Sequence, residues 1–256
     1  MIPLKTLPDA TRKPFWTRVF ALAIALVWLV QLWVVAFRGH NLALEWGVRP
    51  VCFLHPSGCG IAATSPLAFD FDSWPAWVGS PLIRLVVSPF TALWLHANWL
   101  HVAFNLLFLL VFGGAVEGDI GHARFARLYL GGGLVATLCH IAFNGGSSVT
   151  TVGASGAIAA VLGAHCWRLP RAWVLTYFPP VFLLPVPAPL FGILWLALQM
   201  VGAWHDFHSP LSALSSGASV AWTAHVGGFA WGAWVGYRSP ASYDGPVQLK
   251  HKFNRP

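Results

Sequence analysis

The sequence predicts an all-α membrane protein, a bundle of six transmembrane helices. Three observations carry that expectation. The 256 residues are 57% hydrophobic and only 9% charged, against about a quarter charged in an ordinary soluble domain. Six apolar stretches approach or reach the roughly 20 residues that cross a 30 Å hydrocarbon core. The arginines and lysines fall almost entirely on one side of those stretches, as orientation in a bilayer requires.

The stretches are 19–37, 99–116, 125–143, 152–167, 187–204 and 220–237. The first carries no charge. Lys5, Arg12, Lys13 and Arg18 precede it, as in a signal peptide, but it is too long for a signal core and no A-x-A follows, so it reads as a retained anchor. The third carries Arg127 near one end, where its side chain can snorkel to the interface. With both termini inside, the cytoplasmic side holds 12 of the 15 Lys and Arg residues, leaving Arg38, Arg49 and Arg84 outside. The net charge of +7 is then an insertion signal with affinity for anionic headgroups. Nucleic acid is not an expected partner, because no basic face interleaves with aromatics. The expected setting is a multi-pass protein of a bacterial plasma membrane.

No boundary interrupts the spans, so one helical domain is expected over 17–238. A polar N-terminal tail (1–16) and a basic C-terminal tail (239–256) flank it, both cytoplasmic and flexible. The external loop 38–96 is far longer than any other connection. It contains Cys52 and Cys59, which an oxidising exterior would permit to pair, while Cys139 and Cys166 lie within spans as packing residues.

Polar groups converge at one depth. With this orientation the second, fourth and sixth spans all start at the outer face. Those starts carry His96, His101 and Asn105 in "LHANWLHVAFN", Gly153, Ser155 and Gly156 in "VGASGA", and His225 in "TAHVGGFAWGAWVG". Intramembrane polar residues mark functional sites. His101 and Asn105, four apart, share a helical face. Ser155, Ala159 and Gly163 form one bare stripe, and His225, Gly228, Gly232 and Gly236 another. Small residues at this spacing let helix backbones approach closely. Packing the two stripes together would bring Ser155 to His225, the minimal activated nucleophile. Asn105, His101 and the helix-terminal amide of Ser155 are available as oxyanion donors. No acidic partner accompanies them; Asp206 reads as an interfacial charge and His140 as a hydrogen-bonded structural residue. No metal is expected: His96 and His101 are five apart, off a common face, with no carboxylate or cysteine beside them.

At these motifs the chain resembles the rhomboid intramembrane serine proteases, over roughly 19–237. "LHANWLHVAFN" resembles the family's H-x₄-H-x₃-N signature, "GASG" its G-x-S-G, and "AHVGGFAWG" its last-helix motif. "GGAVEGDIG", "EWGVRP" and "RLVVSPF" resemble further family stretches. The resemblance implies a rhomboid-like bundle that performs regulated intramembrane proteolysis without a cofactor. Ser155 would be the nucleophile and His225 the base, with Asn105, His101 and Gly153 around the oxyanion. His96, Arg84, Glu117, Gly228 and Gly232 would give structural support, Glu117 by bracing the first loop. The implied substrates are transmembrane helices of other proteins in the bilayer, cut near their outer ends, with the fifth span and following loop as gate and cap.

Two departures stand out. The family's W-R pair reads Ile83–Arg84, with "TALW" inserted before the first histidine. The aromatic residue often found four after the nucleophile is Ala159, which implies a less firmly held His225. The alternatives are a catalytically inactive rhomboid-like protein that binds transmembrane segments, and a transporter. A transporter would place its polar groups at mid-bilayer, whereas these lie near one face.

Overall fold

The computed structural model describes residues 1–7, 13–54, 81–180, 182–208 and 220–240. Among the described residues four helices are long and apolar enough to cross a membrane: α1 (Trp16–Arg38), α5 (Trp99–Ile120), α6 (His122–Phe143) and α8 (Ala188–His208). Two shorter helices, α7 (Ser155–Arg168) and α9 (Trp222–Arg238), have 14 and 17 residues. The helix starts agree with the sequence-based spans to within three residues. The described part of the loop after α1 holds the short helices α2 (Leu42–Trp46), α3 (Pro50–Leu54) and α4 (Pro81–Thr91).

Local chemistry sets the ends. Gly39 closes α1 in a left-handed conformation, φ 71°, its N–H donating to the Val35 carbonyl, a geometry glycine adopts without a Cβ penalty. The Asn98 side chain caps α5 by accepting from the His101 amide at 2.9 Å, which satisfies one of the first-turn donors. Asn41 does the same for α2.

Helix α7 is the centre of the bundle. Every residue from Gly156 to His165 is buried, which explains why its sequence is small and apolar on all faces. Phe112, Phe125, Tyr129 and Phe191 share the main core with its Ile158 and Leu162. The outer face of α1, with Leu22, Leu26, Leu29 and Val30 exposed, is apolar. Such a face suits lipid, and the chain is a multi-pass integral membrane protein.

The helical membrane bundle expected from the sequence is present, and it carries one small addition. A three-stranded antiparallel sheet is present, order β1 (Ile2–Leu7), β2 (Trp173–Phe178), β3 (Phe182–Pro187). Its register aligns Leu7 with Trp173 and Trp173 with Pro187. Pro3 and Pro185 sit on the two edge strands, where a missing N–H costs least. Residues 2–7 are therefore part of the folded unit rather than a flexible tail. Thr6 Oγ1 reaches buried His165 Nε2 at 2.9 Å and ties the strand to α7.

Glu117 also differs from expectation. It lies at the far end of α5 from the first loop's return, and its carboxylate accepts from the amides of Phe15 and Trp16 at 2.9 and 2.8 Å and of Thr17 at 2.9 Å. The Thr17 hydroxyl donates to it at 2.7 Å, and His122 Nδ1 lies 2.5 Å away. It thus caps the start of α1, where a carboxylate also complements the helix dipole. Arg168 binds Asp119 and the Ser239 carbonyl at the same end.

The two small-residue stripes meet as their spacing predicts. Among the described elements α7 packs most extensively on α9. A Cβ on Gly228 would run into the Gly156 carbonyl, and one on Gly232 into the Ala160 backbone. Backbone cannot swing aside as a flexible side chain can. Gly232→Val is expected to lower stability by roughly 1–3 kcal/mol through overpacking. Gly131→Ala is the control, since its new Cβ would lie 3.5 Å from the Trp231 ring. A melting curve for each checks this; parental melting of Gly232→Val would show that the helices have room there.

Candidate functional site

Ser155 is the first residue of α7, following Ala154, which offers no side-chain cap. The first-turn amides of α7 therefore receive no side-chain acceptor from the residue at their head. The segment leading to Ser155 is held by the first loop. Val48 and Thr151 exchange backbone hydrogen bonds at 2.9 and 2.7 Å, and Arg49 Nε donates to Thr150 Oγ1 at 2.9 Å. The Gly153 amide donates to the Ala92 carbonyl at 2.8 Å. Gly153 has φ +128°, and a Cβ there would sit 2.6 Å from His101 Nε2. Glycine is needed on both counts, for conformation and for space.

Close packing of α7 on α9 delivers His225 to this point. His225 Nε2 lies 2.8 Å from Ser155 Oγ. His225 Nδ1 lies 2.7 Å from Gln199 Oε1, on α8. Sequence reasoning passed over Gln199, although it is the one amide in the apolar run 187–204 and intramembrane polarity alone would have flagged it. Trp195, one turn earlier on the same face, lies 5.7 Å from the His225 ring at a 40° tilt, and Trp222 packs edge-on at 6.4 Å. These tryptophans supply the aromatic wall that Ala159 cannot.

A cavity of about 410 Å³ opens onto the pair. Its polar lining includes Asn98, His101, Asn105, Thr150, Thr151, Gln199 and the Ser155–His225 pair, and its apolar lining Phe104, Phe108, Ile158 and Trp222. Among the described residues that line it, none is acidic. Asn105 is 5% exposed, and its Nδ2 has no hydrogen-bond partner among the described residues. A buried donor without an acceptor is costly and calls for an explanation. The other expected residues are placed as follows. His96 is buried beside the cavity, its ring 5.1 Å from that of His101. Its amide donates to Gln31 Oε1 and its carbonyl accepts from Gln31 Nε2, both at 3.0 Å, which ties the loop to α1. Burial, followed by the nearby His101 ring, lowers the His96 pKa to about 3, so this histidine is neutral at pH 7. His140 is hydrogen-bonded between Thr151 and Thr223. Arg84 lies on α4, but its side chain is outside the described ones, as is that of Asp206. Gly153 cannot offer its own amide to a ligand, because Ala92 already holds it.

The family model of the rhomboid domain matches residues 84–240, more than half of the 256. The chain belongs to the rhomboid family. It is 26% identical over 189 residues to the mitochondrial presenilin-associated rhomboid-like protein of Mus musculus, covering 68% of this chain and 46% of that one. It is 28% identical over 159 residues to presenilin-associated rhomboid-like protein A, mitochondrial, of Danio rerio, covering 60% and 37%. RHOMBOID-like protein 1 of Arabidopsis thaliana is 37% identical over 86 residues, 34% of this chain and 22% of that one. The chain spans less than half the length of these curated relatives. The matched rhomboid region begins within α4 and contains Arg84, His96, His101, Asn105, Glu117, Ser155, Gln199 and His225.

Cys52 is disulfide-bonded, and Cys139 and Cys166 are free thiols. Cys59, the other half of the expected pair, lies outside the described residues, as do 209–219 between α8 and α9.

Proposed function

We propose that this rhomboid is an intramembrane serine endopeptidase that cuts transmembrane helices by a Ser155–His225 dyad. The observation that carries the reading is the 2.8 Å contact between His225 Nε2 and Ser155 Oγ in the lining of the cavity. Ser155 Oγ attacks a substrate carbonyl carbon while its proton passes to His225 Nε2. The oxyanion so formed accepts from Asn105 Nδ2 and from the α7 amide of Ser155, with His101 alongside. As the C–N bond breaks, His225 returns the proton to the leaving amine. Water then attacks the Ser155 ester, with His225 again as base, and releases the second product.

The cavity's mixed lining fits an apolar segment whose backbone is open to attack. A helix hides its carbonyls in its own hydrogen bonds, so the substrate unwinds locally before it is cut. The orientation in this reading follows the basic residues: both termini lie on the positive side and the dyad opens to the other. Several relatives carry "mitochondrial" in their names, which lends no support to a bacterial plasma membrane in particular.

The test is a fluorophosphonate probe with the purified full chain in detergent or lipid, alongside a reporter transmembrane helix. Labelling at Ser155 with cleavage of the reporter is expected. A parent protein that binds the reporter, leaves it intact and takes up no label would instead be an inactive helix-binding rhomboid.

A further inference from the structure

We infer that Gln199 is a positioning residue for His225, an uncharged third member of the site supplied by α8; this rests on the dyad proposed above. The donor and acceptor assignments follow from a single fixed point. The Trp195 carbonyl can only accept, and Gln199 Nε2 lies 3.2 Å from it, so the amide must turn its NH₂ toward Trp195. Gln199 Oε1 then faces His225 Nδ1 at 2.7 Å. An amide oxygen cannot donate, so Nδ1 carries the ring proton. The lone pair is left on Nε2, 2.8 Å from Ser155 Oγ, the tautomer a general base needs. Without Gln199, neither nitrogen of His225 is selected for the proton.

The residue type also fits its place. Gln199 is 7% exposed, and a carboxylate so buried would carry a large desolvation cost until the imidazolium formed. A neutral amide oxygen holds the ring at low cost and still faces the positive charge that develops on Nδ1–H during attack. Trp195 and Gln199 are four apart on one face of α8, so the docking of α8 sets ring plane and tautomer together. That answers the departure at Ala159: what the serine-bearing helix lacks, α8 provides.

The experiment compares the purified parent, Gln199→Leu, Gln199→Glu and Ser155→Ala. Gln199→Leu should lower the fluorophosphonate labelling rate and kcat on a reporter helix by about 10–100-fold, less than the ~10⁴ lost when a triad's orienting carboxylate is disabled. KM should stay within about twofold, since no substrate-facing group essential for binding is removed. Gln199→Glu, which keeps an acceptor oxygen, should recover most of the rate. ¹⁵N-histidine NMR should find the Nδ1–H tautomer at His225 in the parent and a mixture in Gln199→Leu. Parental labelling by Gln199→Leu overturns the inference. So does equal impairment of the Leu and Glu variants with matching loss of Tm, which would make Gln199 a packing residue only. A parent that takes no label refutes the dyad itself, an outcome that does not depend on Gln199.

Discussion

Ser155→Ala and His225→Ala should each lower cleavage of a reporter helix by on the order of 10⁴-fold or more, and the double variant should lose no more than the weaker single one. In the proposed dyad the two groups act in one step: the hydroxyl is a poor nucleophile until Nε2 takes its proton, and a base with no hydroxyl has nothing to activate. Removing either removes the same event, so their effects do not add. Their stabilities should differ. Ser155→Ala deletes one half-buried oxygen at a helix start and should melt with the parent. His225→Ala strands the buried Gln199 Oε1 and leaves space between Trp195 and Trp222, so its Tm should fall, since an abandoned buried acceptor alone costs about 1–3 kcal/mol. Initial rates and melting curves on the same preparations check both. Ser155→Ala protein, free of contaminating protease, that cleaves at the parental rate would end the dyad reading.

What the sequence made legible follows a physical rule. Ser155, His225, Gly228 and Gly232 were readable because small residues at helical spacing encode close approach, and close approach alone brings the serine to the histidine. The long spans were readable because hydrocarbon thickness fixes their length. Gln199 was missed because a lone amide in an apolar run has no local motif; its meaning depends on which face of α8 turns inward. The sheet was missed for another reason. "IPLKTL" has only a weak alternation and carries a proline, and its partner lies some 170 residues away along the chain. The hairpin did leave a trace, in the β-branched and aromatic run "WVLTYF" followed by the turn residues Pro179 and Pro180, which span counting absorbed into a connection. Glu117 was placed by resemblance at the first loop, but a residue near the end of a 22-residue helix is about 30 Å from its start, and the amides it caps are those of α1.

Asn105→Ala is expected to lower turnover roughly 10²–10³-fold, the loss typical of one oxyanion donor, with little change in Tm. The reason lies in what Asn105 lacks. Its Nδ2 is buried with no partner among the described residues, while a structural asparagine at such depth would have its amide satisfied. The free donor borders the cavity that Ser155 also lines. An acceptor that exists only while a substrate carbonyl becomes an oxyanion would complete it, and an interaction realised only then accelerates the reaction rather than tightening binding. Truncation to Ala removes an unsatisfied donor, a gain that offsets the looser packing around a smaller side chain. Asn105→Asp separates shape from donation: the carboxylate keeps the volume, cannot donate when ionised and repels a developing negative charge. It should be at least as slow as Asn105→Ala, and for both variants the loss should fall in kcat with KM nearly unchanged. If Asn105→Ala retains its activity per folded molecule but melts well below the parent, the residue is a packing group and the oxyanion is held elsewhere.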